Sequence, residues 1–128
     1  MKDRVKEVFV GIDVAKASHA VALAESGRSG EVRIFGTISA SPEAVRRLVT
    51  KLSKNYERLC FCYEAGPTGY GLYRQLMELG HECIVIAPSL TPVRAGDRIK
   101  TDRRDAVRLA RLFRAGELTA IWVPDATH

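Results

Sequence analysis

The chain has 128 residues, with 20 Lys+Arg against 15 Asp+Glu and a formal charge of +5. That length suits one domain able to bury a core, and 46% hydrophobic with 27% charged residues excludes intrinsic disorder and collagen-like repeats. The longest apolar runs, such as Val8–Ile12 and Ile84–Ala87, fall far short of the roughly 18 to 20 residues that cross a bilayer. The charged start, Met1-Lys-Asp-Arg-Val-Lys, leads into a strand and not into an apolar signal segment, so a cytoplasmic protein without membrane contact is expected.

Glu7–Val14 (EVFVGIDV) is apolar on both faces until Asp13, the pattern of a central strand. His19–Ala24 and Val32–Ser39 read as two further strands, parted by the glycine-bearing turn Glu25-Ser-Gly-Arg-Ser-Gly30. Short links between the three predict an antiparallel meander. Ser41-Pro42-Glu43 opens a helix, with serine as N-cap and proline in the first turn, and Val45, Leu48, Val49 and Leu52 keep helical spacing behind it. Arg58–Glu64 is a fourth strand, Thr68–Leu79 a second helix ended by Gly80, and Glu82–Ala87 a fifth strand stopped by Pro88. A third helix is expected from Thr101 as N-cap, carrying Val107, Leu109, Ala110, Leu112 and Phe113. Ala120–Val123 is either a short edge strand or the start of a longer element.

The order βββαβαβα calls for parallel pairing across the strand–helix–strand units. One mixed β-sheet with the first strand in the middle, flanked by helices, is the economical assembly. This is an α/β fold of ribonuclease-H-like architecture.

Cys60, Cys62 and Cys83 are too few for a disulfide framework, and Cys60 and Cys62 share one strand face as small core residues. His19, His81 and His128 have no zinc-finger spacing. Positive charge is concentrated instead. Between Thr91 and Gly116 eight basic residues, seven of them arginine, face three acids, while the rest of the chain balances twelve against twelve. Arginine's planar fork suits phosphate, so Lys100, Arg103, Arg104, Arg108 and Arg111 are candidate nucleic-acid contacts; a solvated helix face is the other reading.

Four acids sit at chemically loaded places. Asp13 ends the first strand and Glu64 the fourth; if these strands are parallel neighbours, both carboxylates emerge at the carboxyl edge where open α/β sheets hold ligands. Asp102 and Asp105, three apart in the expected first turn of the third helix, share a face. Four converging carboxylates cannot all stay ionised without cations, and their hard oxygens favour Mg²⁺ or Mn²⁺, which serve phosphoryl transfer. Three of the acids also have a plainer role, helix-dipole complement for Asp102 and Asp105 and turn cap for Asp13, whereas a strand rarely ends its apolar run on a glutamate such as Glu64 without a partner.

Three segments taken together, Gly11-Ile12-Asp13-Val14-Ala15-Lys16, Tyr63-Glu64-Ala65-Gly66-Pro67-Thr68-Gly69-Tyr70 and Lys100-Thr101-Asp102-Arg103-Arg104-Asp105-Ala106, closely resemble one family. They look like the N-terminal RuvC-like domain of the DEDD transposases of insertion-sequence family 110, the bridge-RNA-guided recombinases. The likeness covers about Val8 to Pro124, and Asp13, Glu64, Asp102 and Asp105 match the family's metal-binding tetrad without departure. It implies Mg²⁺- or Mn²⁺-dependent DNA strand cleavage and exchange, specified by a structured non-coding RNA and carried out by a homo-oligomer in the prokaryotic cytoplasm, at the nucleoid. It also implies a second domain with a catalytic serine. Residues 1–128 then read as a single RuvC-like DEDD domain, ending at His128 before that part.

Two other functions fit the same residues: a stand-alone Holliday-junction-type nuclease, and a non-catalytic RNA- or DNA-binding module built on the basic third helix. An actin-like or sugar-kinase ATPase fits less well, because Val14-Ala15-Lys16 follows Asp13 where those folds place a phosphate-holding glycine and hydroxyl.

Overall fold

A computed structural model describes residues 5–26, 31–66, 69–87, 98–121 and 123. The elements are β1 (Val5–Val14), β2 (Ser18–Glu25), β3 (Val32–Ser39), α1 (Pro42–Ser53), β4 (Tyr56–Glu64), α2 (Gly71–Glu78), β5 (Glu82–Ile86) and α3 (Arg98–Arg114). They build one mixed sheet of order β3-β2-β1-β4-β5. β1 is central as expected: antiparallel to β2, with Ile12 opposite Val21, and parallel to β4, with Ile12 beside Tyr63. β3 completes the meander against β2, and β5 runs parallel to β4. Beyond the sheet, Ala120 forms a single antiparallel bridge to Ile86. Among the described residues, no helix is long and apolar enough to cross a membrane.

Period-two alternation sorts the strand side chains between two layers. Val8, Val10, Ile12, Val21, Leu23, Leu59, Phe61 and Tyr63 join the α1 residues Val45, Leu48, Val49 and Leu52 and the α2 residue Leu76 in the main core. The opposite face of β2 is Ala20, Ala22 and Ala24, packed against Ala106 and Ala110 of α3. Small residues on both partners bring helix and sheet backbones close. At Gly11 of β1 the approach is closest: a Cβ there would collide with the Ala106 carbonyl and lie 2.6 Å from the Ala110 nitrogen.

Local signals explain the helix ends. Ser41 Oγ accepts from the Ala44 N–H at 3.2 Å ahead of Pro42, a cap worth about 1 kcal/mol. Gly80 follows α2 at φ +89° and Gly116 follows α3 at φ +74°. In each case the glycine N–H and the next N–H bond back into the last turn, Gly80 to Met77 and His81 to Leu76, Gly116 to Phe113 and Glu117 to Leu112.

Strand ends shift by one or two residues, and two helix starts differ from expectation. α2 starts at Gly71, not Thr68, because Gly69 takes φ +75° and its N–H closes a turn on the Gly66 carbonyl. α3 starts at Arg98, so Thr101 lies inside the helix and is not its cap, and the first turn holds no acid. Arg-Ile-Lys carries ordinary helix propensity, and nothing in that tripeptide stops the helix before Thr101. The dipole explanation for Asp102 and Asp105 loses its basis, since that effect fades beyond the first turn.

Candidate active site

Asp13 follows Ile12, and Glu64 follows Tyr63, its parallel partner, so the two acids end adjacent strands one step beyond that pair. Asp13 shares side-chain parity with Gly11, and Glu64 with Cys62, both of which meet α3. Both carboxylates thus belong to the α3 face of the sheet, at its carboxyl edge. α3 runs antiparallel to β1. Phe113 stacks edge-on against Phe9 at 5.2 Å between centroids, and Ala106 and Ala110 lie over Gly11. The helix therefore carries the half-buried Asp105, and one turn earlier the backbone of Asp102, toward the carboxyl edge of β1, where Asp13 is the penultimate residue.

Arg108 reaches the same edge: its Nη2 lies 3.5 Å from Glu64 Oε2, with the side chains 45% and 26% exposed. A pair this open to solvent contributes under about 1 kcal/mol. Arg111 is exposed on the same helix, whereas Arg114 donates to the Glu25 carbonyl at 3.1 Å and is tied to the scaffold. The side chains of Lys100, Asp102, Arg103 and Arg104 lie outside the described residues. Among the described residues, no three His, Cys, Asp or Glu side chains stand together as a metal-binding group.

A family profile for transposases of the IS110 DEDD type matches residues 10–128. The chain belongs to this family.

Its curated relatives agree. This DEDD transposase domain is 63% identical over 123 residues to a putative transposase, y4qE, of Sinorhizobium fredii, covering 96% of the chain and 32% of that protein. It is 41% identical over 110 residues to the transposase for insertion sequence element IS1533 of Leptospira borgpetersenii, covering 86% of the chain and 32% of that protein. The chain spans about a third of the length of each. Among solved structures, Thermus thermophilus RuvC is similar at TM-score 0.52 and 14% identity, over 89% of this chain and 99% of that one. The same protein in complex with a Holliday junction substrate scores 0.50 at 12% identity, over 89% of this chain and 99% of that one. The fold of the DEDD domain is RuvC-like, the ribonuclease-H-like architecture expected from its element order.

The cysteines and Tyr63 of the DEDD domain have structural roles. Burial pushes the Cys60 and Cys83 thiols up to about 12 and Cys62 higher still, so all three stay protonated at neutral pH and serve as core. The Tyr63 hydroxyl donates to the Gly69 carbonyl at 3.3 Å and accepts from the Tyr73 N–H at 3.2 Å, which fixes the entry to α2 above a fully buried ring.

His19, 5% exposed, accepts the Ala15 N–H on Nδ1 at 3.3 Å, so it is neutral with its proton on Nε2. Burial lowers its pKa below the ordinary 6.5, and burial moves His81 the same way. The unfolded chain therefore takes up these protons at a higher pH than the folded one. Stability should fall as the pH drops through about 6.5, at up to roughly 1.4 kcal/mol per unit for each histidine. Urea unfolding midpoints at about pH 7.5 and 5.5 check this, and His19→Gln should flatten the dependence.

Proposed function

We propose that this domain supplies the metal-dependent DNA strand cleavage and exchange chemistry of a longer transposase. Asp13, Glu64, Asp102 and Asp105 would hold Mg²⁺ or Mn²⁺. The observation that carries the reading is that Asp13 and Glu64 end neighbouring parallel strands on the face covered by the helix bearing Asp102 and Asp105. A donor set made only of carboxylate oxygens fits a hard dication, and such an ion would polarise a phosphoryl oxygen and activate the attacking group. The acids' own part is to bind and orient it. Arg108 and Arg111, with Lys100, Arg103 and Arg104, would position the DNA backbone beside it. In the full transposase, a structured bridge RNA would choose donor and target, a second domain would bring a catalytic serine, and a homo-oligomer would bring several such edges to the nucleoid DNA of a prokaryotic cytoplasm.

Titrating the chain with Mn²⁺, followed by electron paramagnetic resonance, tests the site without requiring turnover. Asp13→Asn and Glu64→Gln should each weaken binding about tenfold or more, as loss of a charged ligand implies. Binding indifferent to both overturns the reading. Arg108→Gln is the informative counter-variant. It removes a cation that competes for Glu64, so Mn²⁺ should bind about fivefold more tightly while stability changes by under about 1 kcal/mol.

A further inference from the structure

The concentration of charge in segment 91–116 hides a second basic surface that only helix geometry assembles. Arg46, Arg47 and Lys51 of α1 and its C-cap residue Lys54 are all exposed, at spacings of 1, 3, 4, 5, 7 and 8 residues that put them on one side of the helix. They line an open groove of about 690 Å³ in which Glu43 is the sole acid among the described residues. None of the four forms an ion pair among the described residues. Arg58, by contrast, sits between Glu7 and Glu82 at 3.5 and 3.0 Å. Lys51 is pre-ordered by its ammonium lying 5.4 Å over the Phe35 ring.

The stripe does not stop at the helix. Arg46 also lines a cleft of about 390 Å³ with Lys16, His19 and Gln75. Lys16 is three residues past Asp13, so the basic surface begins beside the carboxyl edge and leads away from it on the sheet face opposite α3. Arg46 to Lys54 spans eight residues, about 12 Å at 1.5 Å per residue. Duplex DNA presents about seven phosphates over that length.

We infer that the α1 stripe, extended by Lys16, is a second binding surface for the phosphate backbone of duplex DNA, holding the part of the substrate that leaves the acidic edge. The inference rests on the proposed reading of that edge, because continuity with it is what selects the substrate duplex as occupant. α3 would then contact the duplex at the acidic edge, and α1 the stretch that passes on to the opposite face of the sheet. Phosphate contacts of this kind set position, not sequence preference.

The test is fluorescence anisotropy with a labelled duplex of about 30 base pairs and arbitrary sequence, in EDTA, between about 50 and 200 mM salt. EDTA separates the two claims: Mn²⁺ titration judges the acidic site, and this measurement judges the stripe without metal. Arg46→Gln/Arg47→Gln/Lys54→Gln should weaken duplex binding about tenfold or more. It should also reduce the slope of log K against log salt by about 2.7, close to 0.9 for each lost phosphate contact. Lys16→Gln added to this triple variant should weaken binding again. An unchanged urea midpoint shows that the fold is intact, as expected for exposed positions. The proposal is overturned if the triple variant keeps the wild-type affinity and slope, if wild type binds no duplex, or if the loss appears only with a structured RNA hairpin as the ligand.

Discussion

Replacing Gly11 by alanine is expected to cost about 3 kcal/mol, the upper part of the range for overpacked cores. The new methyl group would meet the Ala106 carbonyl and the Ala110 nitrogen, which are backbone atoms of α3, and would touch Leu109 Cβ at 3.0 Å. No rotamer change relieves a clash with backbone; the helix must lift off the sheet as a unit. Lifting it also loosens Ala20, Ala22 and Ala24 from Ala106 and Ala110, and moves Asp105 away from the edge where Asp13 and Glu64 end. A fall in melting temperature of about 10 °C, together with weaker Mn²⁺ binding, is the expected result. A variant with wild-type stability would mean that α3 does not pack against β1 in this way.

On the proposed reading, Asp13→Asn is expected to act on chemistry and not on packing. Asparagine keeps the shape of the side chain and removes the charge, so far-UV circular dichroism should stay that of the parent. Metal-dependent DNA cleavage by the assembled transposase should fall about a thousandfold, because a bound dication stabilises developing charge by several kcal/mol and each 1.4 kcal/mol is tenfold in rate. Full strand exchange by the variant would remove Asp13 from the catalytic set. The comparison of interest is with Gly11→Ala, where activity and stability should fall together; in Asp13→Asn they should separate.

Those two positions, two residues apart on one strand, mark where reading the chain succeeds and where it stops. The place of Asp13 at the carboxyl edge is legible because a charge late in an otherwise apolar strand has no place in a core, and Glu64 stands out for the same reason. Gly11 reads only as part of the Gly-Ile-Asp motif. Its role appears when Ala106 and Ala110, almost a hundred residues later, are set against it. The start of α3 departs from the sequence signal because a threonine followed by an acid reads as a cap, while Arg98-Ile-Lys is just as content in a helix. The pairing of Arg108 with Glu64 joins residues 44 apart, and no local signal announces it.

The sequence by itself determined the element order, the central place of β1, the hydrophobic layer under α1, the core role of Cys60 and Cys62 and the family. These follow from side-chain periodicity and from motifs a few residues long, which are local properties. The tertiary structure decided which side of the sheet α3 covers, how closely it approaches, and which charges share a face. The four cations of α1 show the difference most plainly. They vanish in the balanced count outside segment 91–116, yet they converge on one exposed stripe, because a helix brings residues three and four apart together and, among the described residues, the groove they line holds a single acid, Glu43.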